Sequence, residues 1–207
     1  PKSIKTTSIK PSGTVSLLAG ATSGMHYPIS QYYIRRVRVN ANSKLLPPLR
    51  AAGYKVEPQL IAKAFDPDTY KVTETEIDPT TFVIEFVVNA GEGIRAEHEI
   101  SMWEQLALAA FMQRHWADNQ VSCTIKFNQE REGKDIAHAL DYYQYQLKGI
   151  SFLPHSGHGY LQAPYEPIDR ETYENTKAKY GPLDFNDAVE LPKPDMYCEN
   201  DTCEMRT

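Results

Sequence analysis

β-Branched and apolar residues alternate with polar ones over 5–10, 33–39, 82–88, 121–127 and 150–153, and this period of two predicts five strands. Elsewhere the period lengthens. Within 100–116, Trp103, Leu106, Ala107, Ala110 and Phe111 recur at the spacing of one buried helical face, and Ile136, Ala139, Leu140, Tyr143 and Leu147 do so within 134–147. A shorter helix is predicted over 43–52 in spite of Pro47-Pro48, ended by Gly53. Strands alternating with helices of this length imply crossover units, a mostly parallel sheet and an α/β fold. From Pro154 onward periodicity fades, and Pro164, Pro167, Pro182, Pro192 and Pro194 punctuate the chain. The expected organisation is a body over 1–153, an irregular C-terminal arm over 154–191 and a flexible tail over 192–207. No internal repeat or low-complexity tract is evident.

With 207 residues, 41% of them hydrophobic and 11% aromatic, the chain is able to build a core. It has no long apolar run and no signal-like N-terminus, so a soluble, cytoplasmic protein without a membrane partner is expected. A net charge of −5 gives no electrostatic reason to expect nucleic acid. Arg35, Arg36 and Arg38 read as a solvated strand edge. Three cysteines in such a chain argue against a disulfide framework. The first strand begins almost at once behind Pro1-Lys2-Ser3, without an initial Met, as expected of a piece of something longer.

Candidate chemistry concentrates at Lys10-Pro11-Ser12-Gly13-Thr14-Val15-Ser16, where a strand runs into a turn and then a helix. Such a turn directs backbone N–H groups and the hydroxyls of Ser12, Thr14 and Ser16 at one point, while Gly13 permits close approach. The helix end is worth about 0.3–1 kcal/mol to an anion, and each charge-assisted hydrogen bond about 1.5–3 kcal/mol. The residues alone leave two readings open, a phosphate site or a Ser/Thr-capped helix. The second glycine and the Lys-Ser/Thr pair of a Walker A loop are missing.

Cys123 lies in an apolar strand and reads as a buried, inert thiol. Cys198 and Cys203 form a C-x-x-x-x-C pair in the tail, and acidic Glu199, Asp201 and Glu204 beside them slow thiolate attack at neutral pH. His155 and His158 would complete a Cys₂His₂ zinc set with that pair, although the two halves lie far apart in sequence. His26 reads as structural, Asp118-Asn119 as the end of the preceding helix, and Tyr142-Tyr143 as helix surface and core.

Taken in order, Lys-Pro-Ser-Gly-Thr-Val-Ser at 10–16, Thr-Ser-Gly-Met-His-Tyr-Pro at 22–28 and Tyr-Tyr-Ile-Arg-Arg-Val-Arg at 32–38 form the first half of a recognisable series. Trp-Ala-Asp-Asn-Gln-Val-Ser at 116–122, Gly-Ile-Ser-Phe-Leu-Pro at 149–154 and Gln-Ala-Pro-Tyr-Glu at 162–166 complete it. The series resembles the C-terminal part of ribonucleotide reductases, most closely the adenosylcobalamin-dependent ribonucleoside-triphosphate reductases of class II, over nearly the whole chain. The resemblance implies the closing portion of a ten-stranded α/β barrel. It implies that Ser12, Gly13, Thr14, Val15 and Ser16 hold the substrate's phosphates, and that Cys198 and Cys203 re-reduce the active site before thioredoxin or a similar reductant reduces them.

Class I relatives carry adjacent tyrosines, for radical transfer, where this chain has Phe152-Leu153. That difference implies adenosylcobalamin as the radical source. The family's radical-cysteine finger loop is missing from the sequence, so the chain alone is expected to be inactive and to need the N-terminal remainder of the reductase, covalently joined or split. The alternatives are a segment of a ribonucleoside-diphosphate reductase and a non-catalytic phosphate-binding or interaction module.

Overall fold

The computed structural model of the protein describes residues 2–13, 15–67, 71–155, 161–186 and 188. In chain order the elements are α1 (Val15–Leu18), β1 (Tyr32–Asn40), α2 (Leu46–Ala51), β2 (Val56–Phe65), β3 (Val72–Asn89), α3 (Met102–His115), β4 (Thr124–Phe127), α4 (Gln129–Glu132), α5 (Ile136–Tyr143), β5 (Ser151–Pro154), β6 (Tyr165–Pro167) and α6 (Arg170–Lys177). The stretch expected to be an irregular arm thus contains β6 and α6. No helix among the described residues is long and apolar enough to cross a membrane.

The chain has an α/β fold, but its sheet is not mostly parallel as expected. Four strands in the order β2-β3-β1-β6 pair antiparallel, and only β4 and β5 form a parallel ladder, from Thr124 opposite Ser151 to Phe127 opposite Pro154. The reason lies in β2. Its alternation is broken by Pro58, which an edge strand tolerates, and the short link to β3 allows only an antiparallel hairpin. That hairpin brings β3 back alongside β1.

The strand expected over 5–10 makes a single parallel bridge, Ile9 to Val121. Along β4 itself side chains take its place. The Thr124 N–H donates to His26 Nε2 at 3.0 Å, the Lys126 N–H donates to Gln105 Oε1 at 3.0 Å, and Gln105 Nε2 donates to the Lys126 carbonyl at 2.7 Å.

Two clusters form the core. Met102, Leu106, Ala109 and Ala110 of α3 pack with Ala139 and Tyr143 of α5 against Cys123, Ile125 and Phe127. The buried face of α3 is therefore rotated from the expected one. Leu106 and Ala110 are shared, whereas Ala107 is exposed, Trp103 is 37% exposed and Phe111 57%. Apolar residues surround this helix on several sides, so periodicity alone selects its inward face poorly. In α5 the expected Leu140 is 45% exposed. The second cluster sets Leu46 and Leu49 of α2 against Ile84 of β3. The prolines of α2 occupy its first turn, where their missing N–H groups cost nothing. Gly53 ends that region at φ +82°, where a Cβ would approach the Lys179 carbonyl to 2.7 Å.

The arginines of β1 do not form a solvated edge, because β1 lies between β3 and β6. The Arg36 side chain is 11% exposed and pairs with Glu85 at 2.8 Å and Glu166 at 2.5 Å. Arg35, Arg36 and Arg38 also donate to the carbonyls of Pro164, Ala163 and Gln162 in turn, which fastens the strip before β6 onto β1.

Candidate functional site

The described residues of the 10–16 motif lie at a turn that follows the bridge of Ile9 to Val121. The Ser12 N–H donates to the Lys10 carbonyl at 2.8 Å, Ser12 Oγ accepts from the Ser16 N–H at 3.3 Å, and the Ser16 hydroxyl returns a bond to the Ser12 carbonyl. Ser12, Gly13 and Ser16 are half-buried, and Val15 is 71% exposed. Thr14 lies outside the described residues. Gly24 supports the turn from behind. Its φ of +59° and the approach of the Lys10 carbonyl, 2.4 Å from where a Cβ would stand, leave room only for glycine.

Residues distant in sequence form one side of the turn. Arg35 Nη2 donates to the Gly13 carbonyl at 3.4 Å, and the guanidinium lies 4.4 Å from the centre of the Tyr165 ring. Nη1 reaches the Pro164 carbonyl at 3.4 Å, while the buried Nε–H has no hydrogen-bond partner among the described residues. The position of a side chain on Gly13 is ringed by Arg35 Nη2 at 3.6 Å, Tyr165 Oη at 3.9 Å and Ser23 Oγ at 4.0 Å.

Next to the turn a cavity of about 280 Å³ is lined by Leu17, Ser23, Tyr33, Lys126, Leu153 and Tyr165. Alternation along the parallel pair decides what faces it. Thr124, Lys126 and Leu153 line the cavity, whereas Ile125, Phe127 and Phe152 pack toward the helices. Phe152 and Leu153 therefore serve different surfaces. Lys126 Nζ pairs with Glu97 at 2.7 Å at the cavity wall.

His26 is a structural residue. Since Nε2 accepts from the Thr124 N–H, the ring proton is on Nδ1, which donates to the Ser23 carbonyl at 2.8 Å. Cys123 is buried, and that burial pushes its thiol up to about 11, leaving it unreactive at neutral pH. Tyr142 is 66% exposed and Tyr143 buried, as expected.

Asp118 does not end the preceding helix. It accepts from the N–H groups of Thr6 and Thr7 at 2.9–3.1 Å and from both threonine hydroxyls, tying the segment before the turn to the loop before β4. His155 follows β5, and burial lowers its pKa from the ordinary value. His158, Cys198 and Cys203 lie outside the described residues, and no group of three or more His, Cys, Asp or Glu among the described residues is arranged to hold a metal.

The structure thus gathers Ser12, Gly13, Val15 and Ser16 and adds Arg35, Tyr165 and Ser23, which the motif did not announce. No signal in the sequence separates Arg35 from Arg36 and Arg38, since the first carboxylate of the chain is Glu57.

No protein-family model matches the chain. It is 53% identical, over 98% of its length, to 26% of a probable adenosylcobalamin-dependent ribonucleoside-triphosphate reductase of Dictyostelium discoideum. It is 49% identical, over 98% of its length, to 27% of the adenosylcobalamin-dependent ribonucleoside-triphosphate reductase of Euglena gracilis. The corresponding protein of Levilactobacillus brevis is 39% identical over 99% of the chain and 27% of its own length. The chain therefore spans about a quarter of the relatives that it matches. Its backbone superposes on the crystal structure of a B-12 dependent (class II) ribonucleotide reductase with a TM-score of 0.63 at 39% identity, covering 83% of this chain and 22% of that one. Sequence and backbone agree in what the chain is similar to: over the segment that it spans, the adenosylcobalamin-dependent, class II ribonucleoside-triphosphate reductases.

Proposed function

We propose that the chain is the C-terminal part of an enzyme that reduces ribonucleoside triphosphates to 2′-deoxyribonucleoside triphosphates, the precursors for DNA replication. The observation that carries this reading is the 53% identity over 98% of the chain to the Dictyostelium protein. In this reading the 5–10 segment, β4 and β5 are late strands of a ten-stranded barrel. The turn of Ser12, Gly13, Thr14, Val15 and Ser16 binds the substrate's phosphates beyond the end of a strand, where α/β folds commonly bind ligands. Its amides and hydroxyls orient the triphosphate, and the adjoining cavity lies on the path of the ribose. Cys198 and Cys203 return two electrons and two protons to the active site, becoming a disulfide that thioredoxin or a similar reductant reopens.

Adenosylcobalamin supplies the radical in the complete enzyme. The described residues do not themselves make a site for it. Both ring nitrogens of His26 are engaged, so it has no free lone pair for cobalt, and a cavity of about 280 Å³ is small even for a drug-sized ligand. Phosphate positioning and re-reduction are the tasks of this chain. Holding the cofactor and the radical cysteine falls to the remainder of the reductase.

The test is reconstitution. The chain joined to that remainder, covalently or as a separate polypeptide, is expected to reduce ribonucleoside triphosphates only with adenosylcobalamin, and the chain alone to reduce none. Reduction of diphosphates only, or turnover that ignores adenosylcobalamin and demands a second radical-generating subunit, overturns the reading.

A further inference from the structure

The geometry points to Arg35, flanked by Tyr165 and Ser23, as the charged wall of the phosphate turn, a role that rests on the reading of that turn as phosphate-binding. Three arginines on one strand meet different fates. Arg36 is neutralised by Glu85 and Glu166, and Arg38 donates to Gln59 at 3.0 Å. Arg35 has no carboxylate within ion-pair distance among the described residues. Its two hydrogen bonds are both 3.4 Å long, near the limit for such bonds, and its buried Nε–H has no partner there. A partly buried cation left this way is costly, and stacking on Tyr165 offsets only part of the cost. An anion beside Gly13 would complete it.

Gly13 shows where that anion fits. Its backbone does not require glycine, and a methyl group there would make ordinary contacts of 3.6–4.0 Å. Those contacts are with a guanidinium nitrogen, a phenol oxygen and a hydroxyl oxygen, all able to donate to phosphate oxygens. What glycine keeps open is a polar space. Arg35 also donates to the Gly13 carbonyl, which ties the guanidinium to the turn itself.

The experiment titrates the full chain with inorganic triphosphate by calorimetry, at low and high salt, comparing it with Arg35→Gln, Arg35→Lys, Gly13→Ala and Ser12→Ala. Arg35→Gln is expected to weaken binding about tenfold or more and to flatten its salt dependence, with partial recovery in Arg35→Lys. Gly13→Ala, which removes no hydrogen bond, is expected to unfold at the same temperature as the parent and to lose binding. It keeps the test decisive if Arg35→Gln fails to fold. Parental affinity in a folded Arg35→Gln or in Gly13→Ala overturns the wall, and if Ser12→Ala is impaired at the same time the turn reading survives. Absence of triphosphate binding by the parent, or binding indifferent to every substitution, overturns the turn reading and the wall with it.

Discussion

Two threonine amides and two threonine hydroxyls converge on the carboxylate of Asp118, and these bonds join the backbone bonds of Thr7 and Ile9 in keeping the 5–10 segment beside the stretch before β4. The amides of Thr7 and Thr6 are the main reason that its pKa falls to about 2 from an ordinary 3.8. The folded-state value is depressed, so this anchor is fully present above pH 3.8 and is lost as pH falls toward 2. In an acid titration followed by NMR, the Thr6 and Thr7 amide shifts are expected to move with a midpoint near 2. Movement centred at the ordinary carboxyl value would show that the anchor does not form. Asp118→Asn should abolish the transition and speed hydrogen exchange at both amides at neutral pH, which places the consequence at the entrance to the proposed phosphate turn.

At the scale of elements, β4 is held by one strand and two side chains. Gln105, 8% exposed, bonds both backbone groups of Lys126 where another strand would otherwise pair. Gln105→Met keeps the volume but leaves a buried N–H and a carbonyl without partners, a loss of about 1–3 kcal/mol. Urea unfolding should show a lower midpoint with unchanged slope, and an unchanged midpoint would show that water replaces the amide. Nothing in the period of two marks this edge. The sequence pattern located β1, β4, β5 and the inner part of β3, together with the positions of α2, α3 and α5, because each has a solvent face and a core face that its residues record. It missed β2, whose proline suits an edge, and with it the antiparallel sheet. The turn proposed to bind phosphate was legible as a turn because turn chemistry is local. Arg35 was not, since it lies 22 positions away and reaches Gly13 only after β1 has paired.

For the molecule as a whole, the proposed division of labour separates a site that binds from a tail that exchanges electrons. In that proposal, thiol exchange at Cys198 and Cys203 is needed for repeated turnover and not for the first reduction. In the prereduced complete enzyme, Cys198→Ser or Cys203→Ser should therefore leave about one turnover per site while thioredoxin-driven cycling collapses, and a small dithiol should restore much of the rate. Full thioredoxin-driven cycling in the double variant would exclude the shuttle. Stoichiometric zinc, with unfolding on chelation, would install the Cys₂His₂ alternative in its place.

The platform under Gly13 also sets a schedule. Arg35 rests on Tyr165, and β6, which carries that tyrosine, pairs with β1 across more than half of the chain. A ribosome adding about 5–20 residues per second needs roughly 8–30 s to travel from the turn to its support. During that interval the nascent turn has its serines and its glycine but no floor, so the proposed phosphate site is incomplete. On the proposed reading, binding competence arrives late in synthesis, at the moment one tyrosine clears the exit tunnel and docks.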